Sequence, residues 1–237
     1  MALGDLPQPV QAVLAVERPA FLFGSIAPDA QSVSGQPREA THFFNVPFQD
    51  AVPACRHLFA AFPALAEPRR LPGAQAAFMA GYVTHLALDE LWVKEIFEPN
   101  FGSLAQWGLF TERLYLHNAL RSHLDASDFK RLTASTSGTL HAARLNGLCP
   151  FIADESLLHW RDLIADQFSP GQAIRTVEVF AQRMGADPHR FAALLASPQE
   201  MQRRIFDRLP GGALEQFYRD GLALCREMLE RYWAGAL

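Results

Sequence analysis

Apolar residues recur at helical spacing along most of the chain, and prolines and glycines interrupt them. The strongest segment covers residues 74–98, is almost continuously apolar and stops before Pro99, so we predict a buried helix there. Shorter helices are predicted at residues 8–16, 49–62, 104–124 with a capped continuation to 135, 154–168, 174–184, 191–195 and 201–209, and a final helix follows Gly211 and Gly212 and runs to about 233. Asp187 and Ser197, each followed by a proline, are predicted to cap the helices at 191–195 and 201–209, and a loop is predicted at 137–138. No long polar linker separates these segments, so we expect one domain over residues 1–237.

Residues 25–47 form the main exception to this periodicity. The segment contains Gly35 and three prolines and shows little helical patterning, which predicts an irregular loop. Long ordered loops in compact domains are often functional. Chemically active side chains in this segment are therefore candidate functional residues.

Composition favours an all-α fold. The chain has 36 Ala and 31 Leu against 10 Val, 6 Ile and 7 Thr. Strong helix formers thus outnumber β-branched residues about threefold, whereas β-sheets are enriched in β-branched residues. We predict a single-domain helical bundle.

Charge and cysteine content exclude several classes of protein. The formal net charge of −4 provides no basic excess for nucleic acid, and no apolar run approaches the roughly 20 residues that span a bilayer. Residues 1–24 lack the pattern of a signal peptide, and three widely spaced cysteines do not form a disulfide framework. The expected location is the cytoplasm, and the oligomeric state is open.

The predicted helix at 74–98 carries a polar pair, His85 and Asp89. Residues four apart lie on one helix face, one turn from each other, and Gly81 lies on the same face. A glycine inside a helix costs about 1 kcal/mol relative to alanine, so we expect another element to approach closely there. The pair is either a buried hydrogen bond or half of a divalent metal site.

The 25–47 segment supplies two further candidate ligands, Asp29 and His42. Two carboxylates and two imidazoles suit Zn²⁺, with Mn²⁺ or Fe²⁺ as alternatives. The other interpretation is that Asp29 caps a turn and that His42 is an exposed loop residue.

Three segments together are similar to a known family: FLFGSIAPD at 21–29, REATHFF at 38–44 and AGYVTHLALDELW at 80–92. The chain resembles the zinc-dependent phospholipase C family, and more closely its short bacterial branch; residues 160–162 and 175–180 extend the likeness. Relatives of this fold include fungal zinc nucleases. The resemblance implies an all-α bundle.

The resemblance also implies a ligand set for one zinc ion, namely Asp29, His42, His85 and Asp89. The characterised enzymes bind three metals, using an N-terminal amine with an early histidine and a His-x-x-x-Glu motif. Here no histidine precedes His42, and no His-x-x-x-Glu occurs. One ion, most simply Zn²⁺, is therefore the expected cofactor.

His117, Arg121 and Asp125 recur every four residues and so share one helix face. This face is either a solvated polar surface or part of the site. In the second case, His117 serves as a metal ligand or general acid and Arg121 holds a phosphate. Arg38 is a second candidate for binding an anionic substrate.

These features predict a metal-dependent hydrolase of phosphate esters or diesters, phospholipase C-like, that uses a metal-activated water. Asp29, as a carboxylate among the ligands, is the residue expected to orient that water. Two alternatives stay open: a metal-stabilised binding or scaffold protein without turnover, and a single-metal enzyme for a non-phosphate small molecule.

Overall fold

The structure is a computed structural model that describes residues 6–129, 132, 134–144, 147–168 and 187–237. Every regular element within these ranges is helical, as the composition predicts. The α-helices are α1 (Gln8–Val16), α2 (Arg18–Gly24), α3 (Gln31–Ser34), α4 (Glu39–His42), α5 (Ala54–Ala61), α6 (Gly73–Trp92), α7 (Glu98–Asn100), α8 (Phe110–Phe129), α9 (Ala134–His141), α10 (Asp154–Gln167), α11 (Pro188–Leu195), α12 (Pro198–Arg204) and α13 (Ala213–Ala234). Short 3₁₀ helices cover Ala27–Ala30, Pro63–Ala66, Pro68–Arg70 and Phe206–Arg208, and a π-helix covers Val93–Phe97.

Helix α6 is the central element of the fold. Helices α2, α5 and α13 pack around it, and most of its residues are buried. The predicted end at Pro99 is displaced, because the helix widens into the π-turn at Val93–Phe97 and continues to Asn100. The carbonyl of Phe97 then accepts hydrogen bonds from the amides of both Phe101 and Gly102, each at 2.7 Å.

Several predicted boundaries are wrong where tertiary contacts override local pattern. Helix α8 begins at Phe110 rather than near 104, because Arg113 donates to the carbonyls of Phe101 and Trp107 and stabilises a loop there. It also continues to Phe129 without the expected break near Asp125. The predicted helix at 49–62 contracts to α5, and the expected loop at 137–138 lies inside α9.

Other predictions match the structure closely. Helix α1 has the predicted bounds. The Asp187 side chain accepts from the amide of His189, and Ser197 accepts from the amide of Glu200, so both residues cap helices as expected. The predicted helix at 174–184 lies outside the described residues.

Residues 25–47 are not an irregular loop. They contain the 3₁₀ helix Ala27–Ala30 and the short helices α3 and α4, which local periodicity is too brief to reveal. Trp160 Nε1 donates to the carbonyl of Ile26 at 2.7 Å, and the Tyr82 hydroxyl donates to the carbonyl of Thr41 at 2.5 Å. The segment is thereby fixed to α10 on one side and to α6 on the other.

Candidate metal centre

The site begins with a close crossing of α2 and α6. A Cβ atom added at Gly81 would lie 2.2 Å from the carbonyl oxygen of Phe21 and 2.7 Å from the amide of Ser25. A Cβ atom added at Gly24 would lie 1.9 Å from the carbonyl oxygen of Phe78. Glycine is therefore required on both helices, which confirms the close approach expected at Gly81.

This crossing orients His85. Its Nδ1 lies 2.8 Å from the carbonyl oxygen of Ser25, the residue that follows α2. A carbonyl oxygen can only accept a hydrogen bond, so Nδ1 of His85 carries the proton and donates it. Nε2 therefore carries no proton and is the metal-binding atom that faces the site. Metal-binding histidines are commonly fixed by such a bond through the second ring nitrogen.

His42 is oriented in the same way from the other side. Its side chain is 2% exposed, and its Nδ1 lies 3.0 Å from the hydroxyl of Thr41 and 3.3 Å from the carbonyl oxygen of Arg38. These contacts favour the proton on Nδ1 and turn Nε2 toward the carboxylates. Burial lowers the pKa of His42, and the Arg38 guanidinium adds to this effect against the opposing influence of the Asp29 carboxylate, so the neutral ligand form is favoured.

Asp29 supplies the carboxylate from the 3₁₀ helix Ala27–Ala30. Its Oδ1 lies 3.6 Å from Nε2 of His42. Burial alone would raise the pKa of Asp29, but the nearby imidazoles of His42 and His85 and the guanidinium of Arg121 outweigh burial and hold this pKa below its ordinary value. The carboxylate is ionised at neutral pH.

Asp29, His42 and His85 form a group whose donor atoms all lie within 4.8 Å of one another. Ligands about 2.1 Å from a tetrahedral ion lie about 3.4 Å apart. The 3.6 Å between Asp29 Oδ1 and His42 Nε2 is close to that spacing. A carboxylate with two neutral imidazoles is a suitable donor set for Zn²⁺, Mn²⁺ or Fe²⁺.

Asp89, the fourth predicted ligand, lies beside this group and has a second partner. Its Oδ2 is 3.7 Å from Nε2 of His42 and accepts a hydrogen bond from the Arg38 guanidinium. Arg38 also lies over the Phe44 ring, 4.5 Å from its centroid. The structure thus brings all four predicted ligands together, with Asp89 engaged in an ion pair with the predicted anion-binding arginine.

The group opens into a cavity of about 470 Å³. Its lining includes both arginines singled out from the sequence, Arg38 and Arg121, and the four predicted ligands, Asp29, His42, His85 and Asp89. Trp92, Leu88 and Leu124 supply apolar surface, and α13 adds Phe217 and Tyr218. Asp125 and Asp128 also line the cavity.

His117 does not reach the cavity, which corrects the expectation that it serves as a metal ligand or general acid. It is 7% exposed and packs against the rings of Phe97 and Phe101, at centroid distances of 4.7 and 5.5 Å. Its Nε2 accepts a hydrogen bond from Nε1 of Trp92 at 2.8 Å. Burial, with a contribution from Arg121, lowers the pKa of His117 well below its ordinary value.

Sequence reasoning did not identify Trp92 and Phe217 as cavity residues. The spacing contained part of the signal, because Trp92 follows Asp89 by three residues and His85 by seven and therefore shares their helix face. Phe217 gave no such signal, since its position depends on how α13 packs against α6.

Comparison of the chain with protein-family models, with curated proteins and with solved structures gives no match. Within the described ranges, no helix combines the length and the apolar character needed to cross a membrane.

Proposed function

We propose that the chain is a metal-dependent hydrolase of phosphate esters or diesters, similar in chemistry to zinc-dependent phospholipases C. The observation that carries the proposal is the convergence of Asp29, His42 and His85 in a cavity that Arg38 and Arg121 also line. Three protein donors leave coordination positions open, as in catalytic rather than structural zinc sites. A divalent ion bound by Asp29, His42 and His85 would lower the pKa of a bound water toward neutrality and would polarise a phosphoryl oxygen.

The chain's own residues divide the remaining work. The ionised carboxylate of Asp29 orients the attacking water. Arg38 and Arg121 offer planar guanidinium groups that match phosphate oxygens in two-pronged contacts. The ion pair with Asp89 and the ring of Phe44 hold Arg38 at the cavity before a substrate arrives.

The resemblance at residues 21–29, 38–44 and 80–92 supports the same reaction class, and Zn²⁺ is the ion that we propose. Mn²⁺ and Fe²⁺ are the alternatives to test. The proposal concerns small phosphate-containing substrates, since no basic excess favours nucleic acid.

Metal analysis and turnover assays test the proposal together. The purified protein should bind about one Zn²⁺ and hydrolyse phosphomonoesters or phosphodiesters, and His85→Ala should lose both properties. His159→Ala is the matched control, because His159 is exposed and does not line the cavity. Stoichiometric metal without turnover on any phosphate ester would favour a metal-stabilised binding protein instead.

A further inference from the structure

The cavity has an apolar wall whose central member is Trp92. Trp92 follows Asp89 by one helical turn, so the wall begins where the polar group ends. The ring of Phe217 meets Trp92 edge-on, at a centroid distance of 5.1 Å and an angle of 83°. Both rings line the same cavity as the three metal donors and the two arginines.

The orientation of Trp92 is fixed from behind. Its indole N–H donates to Nε2 of His117, which is buried among Phe97 and Phe101. With its only polar group engaged in the core, the indole contributes apolar surface to the cavity. His117 stays neutral at physiological pH because burial disfavours its charged form, so it remains an acceptor.

A preformed aromatic pair beside an anion-binding group is a specificity device. Ligand sites combine apolar walls with a few placed polar groups, and a cavity of about 470 Å³ is in the range for one small molecule. An indole whose N–H is bonded to His117 offers no hydrogen bond to water in the cavity. A bound ring would gain buried apolar area and edge or face contacts with the two aromatic side chains.

We propose that the substrate is a small phosphate ester carrying one compact aromatic or cyclic apolar group, which packs against Trp92 and Phe217 while Arg38 and Arg121 hold its phosphate. His117 is a positioning residue that sets the angle of the Trp92 ring. This inference rests on the proposed function, because it takes the phosphate end of the substrate from it.

Non-hydrolysable phosphonates separate the two ends of the substrate. Calorimetry on the zinc-loaded protein would compare methylphosphonate, phenylphosphonate and hexadecylphosphonate below its micelle concentration. Burial of one ring predicts that phenylphosphonate binds about ten- to a hundredfold more tightly than methylphosphonate. Trp92→Ala and Phe217→Ala should each reduce that ratio toward one, whereas Trp107→Phe, outside the cavity, should leave it unchanged.

His117→Gln tests positioning, because a glutamine oxygen can still accept from the indole. The His117→Gln variant should keep the ratio of phenylphosphonate affinity to methylphosphonate affinity within about threefold of the wild-type ratio. His117→Leu should lower this phenyl preference while the zinc content stays the same. If His117→Leu leaves the preference unchanged, His117 has only a structural role.

The outcomes distinguish the two proposals. Equal affinity for methyl- and phenylphosphonate overturns this inference and leaves the metal site intact. Tighter binding of the hexadecyl compound than of the phenyl compound overturns the compact group in favour of a lipid chain. No binding of any phosphonate to zinc-loaded protein overturns the proposed function itself.

Discussion

Nδ1 of His85 lies 2.8 Å from the main-chain carbonyl oxygen of Ser25, and Gly81, one turn earlier on the same helix, makes that contact possible. The main-chain carbonyl that orients a metal-binding histidine and the glycine that admits the neighbouring helix therefore belong to one packing arrangement. Stability and metal affinity should respond together when this arrangement is disturbed.

Gly81→Ala should destabilise the protein and weaken metal binding. The new methyl group would lie 2.2 Å from a backbone oxygen, so the helices must separate, at a cost of about 1–3 kcal/mol or more. Thermal unfolding and zinc titration measure the two effects. Gly138→Ala is the control: Gly138 lies in α9 with open space around it, so alanine should raise stability by about 0.5–1 kcal/mol.

Asp89→Asn should weaken zinc binding less than His85→Ala does. His85 belongs to the three-residue donor group, whereas the Asp89 carboxylate is already engaged with Arg38. Loss of a donor should cost at least a hundredfold in affinity, and loss of a neighbouring polar partner about tenfold. Equal losses, measured by competition with a chromogenic chelator, would instead support Asp89 as the fourth ligand that the sequence predicts.

Arg121→Gln should reduce the affinity of the zinc-loaded protein for inorganic phosphate by about tenfold or more, since a charge-assisted hydrogen bond contributes roughly 1.5–3 kcal/mol. Zinc content should not change, because Arg121 is not a metal donor. Arg203→Gln, on the exposed surface outside the cavity, is the matched control. An unchanged phosphate affinity would show that Arg121 does not bind the phosphate.

The free energy of unfolding should decrease as the pH is lowered below about 6.5, because of His117. Because the pKa of His117 in the folded chain lies well below the ordinary histidine value of 6.5, the unfolded chain binds a proton there that the folded chain does not. The unfolded state is then favoured by about 1.4 kcal/mol per pH unit below 6.5, until the folded pKa is reached. His117→Gln should flatten the curve of unfolding free energy between pH 6.5 and 5, and an unchanged slope would contradict this assignment to His117.

Removal of metal should lower the melting temperature without loss of helicity. Binding confined to the folded state contributes roughly 4 kcal/mol at a thousandfold excess over Kd, or about 10 °C for a chain of this size. Hydrogen exchange should increase at Ala27–Ala30 and in α4, which carry Asp29 and His42, because chelation frees both residues from α6. If exchange in these turns is the same with and without chelator, the ion does not organise them.

The sequence by itself determined the features that depend on neighbouring residues. Helical composition predicts the all-α fold, a proline after Asp187 or Ser197 predicts a cap, and four-residue spacing places His85 and Asp89 on one face. These predictions succeed because helix propensity, capping and periodicity act within a turn or two of chain. The irregular patterning of residues 25–47 pointed to Asp29 and His42 as partners of that pair, and the structure places both beside it.

Only the tertiary structure decided how these faces meet. His117 and Arg121 are four apart and share a helix face, yet His117 packs into the core behind Trp92 while Arg121 reaches the cavity. The ion pair of Arg38 with Asp89 also depends on tertiary packing, because Arg38 lies just before α4 and Asp89 lies in α6. Two residues on the same helix face can lie on opposite sides of the core boundary when they are one turn apart. Which of them is buried depends on the rotation and crossing angle of the packed helices, and local spacing does not encode either.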